Sequence, residues 1–241
     1  MGVALNRESF LDMKVHSHLP REIPEASLRR LPVYYRSLQG MVAVGVTQVS
    51  CADLARVLDL DPTQVRKDIE MTGIVGKPRV GYTLGELILW LENFLGWNRP
   101  KEAVLAGAGS LGSALLGYQK FRRHGMRIVA AFDADPEKIG QLIHGREVQP
   151  LLFLPDFVRQ HKTLVGVIAT PAEAAQSVTN LMVAGGIHAI WNFAPTHIQV
   201  PAGIILQNED LYHSLASLSF KLESKLGVRP VENGISYAED N

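Results

Sequence analysis

The sequence predicts an α/β domain built on a parallel sheet, preceded by a smaller domain that is rich in helices. Three observations support this fold class. Capped helical patterns fill the chain up to residue 98, whereas strand and helix patterns alternate from residue 102 onward. A Gly-x-Gly-x-x-Gly stretch at 107–112 lies between a strand pattern and a helix pattern. The polar stretch 98–101, which contains Pro100, marks the linker between the two domains.

The composition excludes several classes of protein. The 24 basic and 24 acidic residues cancel, so the net charge by itself indicates neither nucleic acid nor a membrane surface as a partner. The single cysteine, Cys51, excludes an internal disulfide and a cysteine-rich metal site, and it fits a reducing compartment. No run of apolar residues is long enough to span a membrane, and residues 1–18 lack the apolar core of a signal peptide. We therefore expect a cytoplasmic protein without a membrane segment or a bound metal ion.

The first domain is predicted to span residues 23–98, after a flexible extension at 1–22 that shows no sustained hydrophobic period. A helical pattern begins after Pro24, with Ser27 as a candidate cap and apolar residues at three- and four-residue steps. Pro32 interrupts this pattern and either bends the helix or marks its first turn. The other face carries three arginines, which a solvated surface would also explain: Arg29, Arg30 and Arg36.

Three capping boxes predict where the next helices of this domain begin. Ser50 is predicted to cap a short helix, with Asp53 closing the box. Asp61 is predicted to cap a second one, with a proline in the first helical position and Gln64 reaching back. Thr83 is predicted to cap a longer, strongly amphipathic helix. Because only three or four residues separate the first two helices, the pair has the spacing of a helix-turn-helix.

The second helix of that pair is a candidate recognition helix. In a helix-turn-helix this helix enters the major groove, and its N-terminal half meets the bases. Arg66 and Lys67 fall in that half, where they could contact guanine or phosphate. A glycine-bounded β-hairpin is predicted at 73–82 with Lys77 and Arg79 near its tip, which is typical of the winged form of the motif. The local excess of basic residues is small, so a small helical packing domain remains the alternative to DNA binding.

The second domain is predicted to be a Rossmann domain at 99–207. Strands are expected at 102–106, 127–132, 164–169, 188–191 and 203–206, and helices at 110–124, 154–161 and 171–185. In the glycine loop, Gly107 makes the turn, Gly109 lets the backbone approach a pyrophosphate, and Gly112 lets the helix pack on the strand. We expect the whole loop to bind the nucleotide, which adds Ala108, Ser110 and Leu111.

Three later strand ends supply further candidates for the nucleotide site. Asp133 ends a strand 21 residues after Gly112, where an acid binds the ribose hydroxyls of a dinucleotide. A carboxylate there would repel a 2′-phosphate, which favours NAD over NADP. Two other strands end in Thr170-Pro171 and in Asn192-Phe193. Asn192 could bond a nicotinamide carboxamide, although a turn built on Asn and Pro explains it equally well.

A last helix is predicted from about residue 209 to 226. Its apolar stripe consists of leucines at four- and three-residue steps, namely Leu211, Leu215, Leu218, Leu222 and Leu226. So apolar a terminal helix should be covered, and a partner subunit is a good candidate for the cover. The acidic tail 229–241 is expected to be disordered.

Several stretches of the chain together carry a resemblance to a known family. In the first domain these are Ile23-Pro24-Glu25-Ala26-Ser27-Leu28-Arg29-Arg30-Leu31-Pro32, Tyr34-Tyr35-Arg36, Gln64-Val65-Arg66-Lys67-Asp68 and Val80-Gly81-Tyr82. In the second they are the glycine loop, Phe132-Asp133-Ala134-Asp135-Pro136-Glu137-Lys138-Ile139-Gly140, Pro171-Ala172-Glu173-Ala174-Ala175-Gln176, Asn192-Phe193-Ala194-Pro195 and Leu218-Ser219-Phe220. In their order and spacing over about residues 23–222, they resemble the redox-sensing transcriptional repressors of the Rex family.

The resemblance implies a winged-helix domain joined to a Rossmann domain in a homodimer, with the C-terminal helix at 208–228 swapped into the partner. NADH would close the dimer and release the operator, whereas NAD⁺ or no ligand would permit DNA binding. A redox switch is implied in which Asp210 alternates between Arg36 and Tyr118 across subunits.

The predicted site residues form two further sets. For DNA they are Arg29, Arg30, Ser50, Gln64, Arg66, Lys67, Lys77 and Arg79. For NADH or NAD⁺ they are the loop residues 107–112 with Asp133, Lys138, Thr170, Pro171, Asn192, Phe193 and Tyr118. No catalytic residue is predicted.

The recognition helix and the wing depart from the family pattern. After Arg66-Lys67-Asp68 the family usually continues Leu-Ser-Tyr-Phe-Gly-Glu-Phe-Gly, and this chain has Ile69-Glu70-Met71-Thr72-Gly73-Ile74-Val75-Gly76. The wing usually reads Gly-Lys-Arg-Gly-Val-Gly-Tyr and here reads Gly76-Lys77-Pro78-Arg79-Val80-Gly81-Tyr82. The operator sequence therefore does not follow from the family.

Two other functions remain open at this point. An NAD-dependent oxidoreductase would need a general acid or base facing the nicotinamide, for which His188 and His197 are the candidates. An oligomeric binding module could use the nucleotide structurally, without sensing its redox state.

Overall fold

The computed structural model describes residues 23–227, except for the side chain of Leu211. The chain divides into two compact units. The first contains the residues up to Pro100 and the segment Lys120–Met126, and the second contains Lys101–Gln119 and the residues from Arg127 onward. The predicted extension at 1–22 and the predicted tail at 229–241 lie outside the described residues.

The first unit is a bundle of helices with a two-stranded sheet. Its elements are α1 (Glu25–Ala43), β1 (Gln48–Val49), α2 (Cys51–Leu58), α3 (Pro62–Glu70), β2 (Tyr82–Thr83) and α4 (Leu84–Phe94). Each long helix buries one stripe of apolar residues at three- and four-residue spacing, as α1 does with Leu31, Tyr34, Tyr35 and Leu38. One contiguous core results, to which α2 adds Leu54, α3 adds Val65 and Ile69, and α4 adds Leu87 and Leu91.

The hairpin after α3 is shorter than a regular two-stranded ribbon. Lys77 and Gly81 exchange backbone hydrogen bonds of 2.7 and 2.9 Å and form an isolated bridge. The segment after the turn does not continue to pair with the segment before it. Instead, β2 pairs antiparallel with β1 in the register Gln48↔Thr83 and Val49↔Tyr82. The predicted wing is therefore a tight turn that β1 anchors to the helices.

Helix starts were predicted with mixed success. The capping box of Ser50 and Asp53 is confirmed, and Asp61 accepts the backbone N–H of Gln64 at 2.9 Å. The side chain of Gln64 does not reach back, because it donates to Asp68 instead. Thr83 makes no side-chain cap bond to α4, so the third predicted box is wrong.

Helix α1 begins two residues before its predicted cap. It follows Pro24 directly, and Ser27 is buried in its first turn, so the prediction of Ser27 as cap is wrong. Pro32 lies inside a helix that continues on both sides of it. The buried residues on either side of the proline, such as Leu31 and Tyr34, pack into the core and compensate for the backbone hydrogen bond that a proline cannot donate.

The second unit is built on a seven-stranded sheet. In chain order the elements from the linker onward are β3 (Lys101–Ala106), α5 (Ser110–Leu116), α6 (Lys120–Arg123), β4 (Met126–Asp133), β5 (Leu142–Ile143), β6 (Arg146–Pro150), α7 (Leu154–His161), β7 (Val165–Ile168), α8 (Ala172–Gly185), β8 (Ala189–Asn192), β9 (Ile205–Asn208) and α9 (Leu211–Leu226). The strand order is β5-β6-β4-β3-β7-β8-β9. Strand β3 runs parallel to β7, β7 to β8, β8 to β9 and β4 to β6, which confirms the predicted parallel sheet.

One prediction in this unit was wrong, and one strand pair was missed. The helix predicted at 110–124 is interrupted at 117–119. Gly117 follows the end of α5 and lies so close to the ring of His144 that a Cβ there would lie 2.5 Å from Nε2. The short segment α6 after the break groups with the first unit. There the ring of His124 lies 4.3 Å from that of Trp97, centroid to centroid. The antiparallel pair of β5 and β6 was not predicted, since residues 142–150 show no clear period.

The sheet is covered by helices, but α9 takes no part in this core. The buried cluster combines Val104, Phe132 and Ile168 from strands with Val158 and Met182 from α7 and α8. The apolar side chains of α9 are exposed instead, Leu218 by 64%. Within the part of the chain that the structure describes, each helix is too short or too polar to span a lipid bilayer.

Candidate nucleotide-binding and DNA-binding sites

The glycine loop begins where β3 ends, beside the end of β7. Gly107 has φ +96, and a Cβ on it would lie 2.5 Å from the carbonyl oxygen of Ala169. A Cβ on Gly112 would lie 1.8 Å from the carbonyl oxygen of Gly107. Both positions therefore require glycine, the first for its conformation and the second for the close packing of α5. Around Gly109, by contrast, a Cβ would meet no atom within 4 Å, so space is open where a pyrophosphate would lie.

Asp133 ends β4 and binds the glycine loop directly. Its carboxylate accepts the backbone N–H of Ala108 at 2.7 Å and that of Asp135 at 2.9 Å, and Nζ of Lys138 lies 3.5 Å away. Burial alone would raise the pKa of Asp133, but these hydrogen bonds and the Lys138 charge outweigh it and hold the pKa below its usual range. An ionised carboxylate offers about four acceptor positions, so Asp133 can still accept from ribose hydroxyls.

Thr170 contributes a polar atom that lacks a partner. Its Oγ1 is buried and forms no hydrogen bond, and it follows β7 at the edge where the glycine loop follows β3. A Cβ on Gly107 would lie 2.8 Å from the backbone nitrogen of Thr170, which shows how close the two segments are. Strand order reverses at this point of the sheet, and ligands of such sheets bind in the crevice there. The open space at Gly109, the ionised Asp133 and this hydroxyl together fit a dinucleotide. Pro171 follows as the exposed N-cap of α8.

Asn192 is engaged inside the fold. It is 1% exposed, its amide nitrogen donates to the carbonyl of Thr196 at 3.0 Å and to Oδ1 of Asn208 at 2.9 Å, and its Oδ1 accepts the N–H of Ala194. These contacts engage the amide within the fold, as the turn interpretation expects, and a bond from Asn192 to a nicotinamide stays a prediction. Phe193 beside it is half-buried, with its ring 4.8 Å from that of Trp191.

The three residues of the predicted switch lie in separate places along the chain. Arg36 is exposed on α1 in the first unit. Tyr118 is 49% exposed in the break between α5 and α6. Asp210 caps α9 by accepting the N–H of Tyr212 at 2.8 Å and that of His213 at 3.2 Å, and it lines a pocket of about 180 Å³ with His197. Their pairing across subunits stays a prediction.

Three basic residues and the acidic Glu70 of the recognition helix line one groove of about 470 Å³ in the first unit. Arg66 reaches it from α3, and Lys77 and Arg79 reach it from the wing. Half-buried Tyr82 and Cys51 lie at its base, and burial raises the pKa of Tyr82 to about 12 and also that of the Cys51 thiol. Both groups are therefore neutral at physiological pH, so the charged side chains of the groove are Arg66, Lys77 and Arg79 against Glu70.

The eight predicted DNA-binding residues separate into two groups. Five are exposed cations, namely Arg29, Arg66, Lys67, Lys77 and Arg79. The other three are engaged within the fold. The hydroxyl of Ser50 donates to Asp53 at 2.6 Å within its capping box, while Arg30 and Gln64 both bind Asp68. We therefore leave Ser50, Arg30 and Gln64 out of the proposed DNA contacts.

Two residues of this network, Asp68 and Tyr34, were missed by sequence reasoning. Asp68 is fully buried and accepts the hydroxyl of Tyr34 at 2.6 Å. A signal for Asp68 was present, because it lies between Val65 and Ile69 on the apolar stripe of α3, where a charge requires a partner.

Two family models match the chain. Residues 22–69 match the family described as "Putative DNA-binding protein N-terminus". Residues 98–196 match the family described as "CoA binding domain". The two matches fall on the chain in the same order as the two units.

Curated relatives match almost the whole chain. The "Redox-sensing transcriptional repressor Rex" of Treponema denticola is 44% identical over 206 residues, which cover 85% of this chain and 98% of that protein. The proteins of the same name from Desulforamulus reducens and Pelotomaculum thermopropionicum are 41% and 43% identical over 85% of this chain, covering 97% and 96% of their own lengths.

The chain belongs to the Rex family. Rex proteins are named as redox-sensing transcriptional repressors, and these relatives favour that function over an oxidoreductase.

Solved structures of a Rex-family repressor share this fold. RSP in complex with β-NAD⁺ and operator DNA matches with a TM-score of 0.81 at 31% identity, over 86% of this chain and 95% of that one. RSP in complex with β-NADH matches with a TM-score of 0.77 at 30% identity, over 86% and 97%. Each of these two matches therefore spans both units of this chain.

Proposed function

We propose that this Rex protein is a repressor that binds operator DNA as a homodimer when it is free or bound to NAD⁺, and that NADH releases it. One observation carries the proposal: a chain with a dinucleotide-binding crevice in one unit has a basic helix-turn-helix and wing in the other. Support comes from RSP, whose structures contain NAD⁺ with operator DNA in one case and NADH in another.

The cofactor would be held by residues that this chain already positions. The glycine loop at 107–112 would receive the pyrophosphate, Asp133 would accept the ribose hydroxyls, and Thr170 would donate from its unpartnered Oγ1. Because Asp133 is ionised, a phosphate on the ribose would be repelled, which favours NADH over NADPH. When bound, the cofactor supplies a nicotinamide that is neutral in its reduced form and cationic in its oxidised form.

The exposed stripe of α9 supports the homodimer. Leu215, Leu218, Leu222 and Leu226 are between 51% and 65% exposed, and Tyr212 and Phe220 elsewhere on the same helix are exposed as well. Burying each leucine would contribute about 1.5–3 kcal/mol, so a partner that covers the stripe would gain a large association free energy. We propose that the second copy of the chain is this cover and that α9 is exchanged between the copies.

The switch would work through a difference in affinity. A ligand moves an equilibrium between two dimer shapes only if it binds one shape more tightly than the other. In this proposal Asp210 changes partner between Arg36 and Tyr118, and the single charge that distinguishes NAD⁺ from NADH biases the choice. The five exposed cations, Arg29, Arg66, Lys67, Lys77 and Arg79, would contact the DNA in the NAD⁺ or free shape.

A gel-shift experiment with the DNA upstream of the chain's own gene tests the proposal. We expect a shift with no ligand and with NAD⁺, and loss of the shift at roughly 0.1 mM NADH, well above a typical sensor's dissociation constant. NADPH and coenzyme A at the same concentration should leave the shift in place. If NADH and NAD⁺ both leave it unchanged, the chain is not an NADH-released repressor.

Two substitutions separate the two sites. Asp133→Ala should retain operator binding and require at least about tenfold more NADH for release, whereas Asp156→Ala, an exposed acid of α7 paired with Arg159, should require no more than the wild type. Arg66→Ala should weaken operator binding and reduce the slope of log K against log[salt] by about one. An unchanged affinity of Arg66→Ala at low and high salt would remove α3 as the recognition helix.

A further inference from the structure

The first unit contains a buried ionic network that joins α1 to the recognition helix α3. The guanidinium of Arg30 donates to both carboxylate oxygens of Asp68, from Nε at 2.6 Å and from Nη2 at 2.9 Å. The hydroxyl of Tyr34 donates to the same carboxylate at 2.6 Å, and Nε2 of Gln64 donates at 3.0 Å. Asp68 thus accepts four hydrogen bonds, two from Arg30, one from Tyr34 and one from its own helix.

Burial makes this network sensitive to any displacement of its members. The side chain of Asp68 is fully buried, that of Tyr34 is fully buried, and that of Arg30 is 28% exposed. Burial alone would raise the pKa of Asp68, but the hydrogen bonds of Arg30 and Tyr34 outweigh it and lower the pKa, so the carboxylate is charged. A buried charge tolerates little displacement of its partners, because an unpaired carboxylate in the core is strongly destabilising.

The geometry of the contact between Arg30 and Asp68 also restricts which residues can replace either of them. A bidentate contact between a planar guanidinium and a carboxylate fixes both the distance and the orientation of the two helices. Lysine would keep the charge of Arg30 but could not form the fork. Leu31, Leu38, Val65 and Ile69 belong to the apolar core that α1 and α3 share, yet apolar contacts alone permit small sliding movements that a fork does not.

We propose that Arg30, Tyr34 and Gln64 are positioning residues that orient the recognition helix through Asp68, and that Arg30 does not itself contact DNA. Arg66 and Lys67 lie on the same helix as Asp68, two residues and one residue before it, so the orientation of α3 about Asp68 sets the direction in which both side chains project. The inference rests on the proposed function, since it concerns the helix that would read the operator.

A positioning role and a DNA contact predict different binding behaviour. Operator binding needs base contacts at defined positions, whereas non-specific binding depends on charge. Arg30→Lys keeps the charge and loses the fork. We therefore expect operator affinity to fall at least about tenfold, with non-specific DNA affinity and NADH affinity within about twofold of the wild type. Tyr34→Phe keeps the ring in the core and removes one hydrogen bond, so operator affinity should fall about threefold to tenfold with the same pattern.

Arg56 provides a matched control in the same unit. It donates to Asp53 at 3.1 Å in an exposed ion pair on α2, and it is not among the proposed DNA contacts. Arg56→Lys should leave operator affinity, non-specific affinity and NADH affinity unchanged. Thermal unfolding and circular dichroism of each variant establish that binding is measured on folded protein.

A double-mutant cycle decides whether Arg30 acts through Asp68. If it does, Arg30→Ala should add little to the loss of operator affinity already caused by Asp68→Ala. If Arg30 contacts DNA, its removal should cost about tenfold more in the Asp68→Ala background and should lower the salt slope by about one. That second result, or wild-type operator affinity in folded Arg30→Lys and Tyr34→Phe, would overturn the inference.

Hydrogen exchange on the free protein separates this inference from the proposed function. The amides of α3 should exchange faster in Arg30→Lys and Tyr34→Phe than in the wild type, while Arg56→Lys should show no change. If the wild type binds no operator, the proposed function fails, yet the exchange of α3 still reports whether the network orients the helix. Unchanged exchange in both variants would show that apolar packing alone holds α3 in place.

Discussion

Helices α4 and α9 have similar leucine spacing and opposite environments. Both carry leucines at three- and four-residue spacing, and Leu84, Leu87 and Leu91 of α4 are at most 1% exposed. On α9, Leu218 and Leu222 are 64% and 51% exposed. The stripe of α4 is completed by α1 within the chain, whereas nothing among the described residues buries the stripe of α9. An amphipathic pattern therefore indicates that a face will be buried, without indicating which chain buries it.

The largest effect should come from placing charges on the stripe of α9. Leu218→Asp combined with Leu222→Asp should weaken dimer association by about 3–6 kcal/mol, more than 100-fold, because each leucine contributes about 1.5–3 kcal/mol on burial. Sedimentation over a range of protein concentrations measures the association. Ser224→Ala, on the other side of the same helix, is the control and should leave the dimer intact. A double variant that unfolds as a monomer would show that α9 belongs to the core of its own chain.

The corresponding change in α4 should act on folding instead. Leu91→Ala should lower the free energy of unfolding by about 2–5 kcal/mol, because it leaves a cavity in a packed core. Chemical denaturation at two protein concentrations checks this, and the loss should be the same at both. A loss that shrinks with increasing protein concentration would mean that Leu91 also contributes to association.

The smallest effects on stability should come from substitutions at helix starts, where α2 and α4 of the first unit can be compared. Ser50→Ala should cost about 0.5–2 kcal/mol of stability, because the Ser50 hydroxyl accepts the N–H of Asp53 at the start of α2. Thr83→Ala should cost much less, since Thr83 makes no cap bond and α4 is held by its buried leucines. Equal losses measured by denaturation for the two variants would contradict the observed difference between the caps.

Much of the candidate nucleotide site was predictable because its requirements are local. The spacing of Gly107, Gly109 and Gly112 reflects a turn, an open approach and a close packing contact, each of which involves residues near in sequence or on the next strand. Asp133 was found by its place at the end of a strand pattern, and it binds the loop through Ala108. The close approach of Gly117 to the ring of His144 was missed, because His144 lies on a hairpin that has no periodic signal.

The sequence by itself determined most of the elements and the order of the two units, because helical period, capping residues and glycine spacing act over a few neighbouring residues. Only the tertiary structure decided which polar side chains remain available. Arg29 and Arg30 are adjacent and look equivalent, yet Arg29 pairs with exposed Glu25 while Arg30 is bound to a buried carboxylate 38 residues away. Whether a polar side chain can bind a ligand depends on the partners that folding brings to it from distant parts of the chain. Whether the apolar face of α9 is buried likewise depends on a surface outside the core of its own unit.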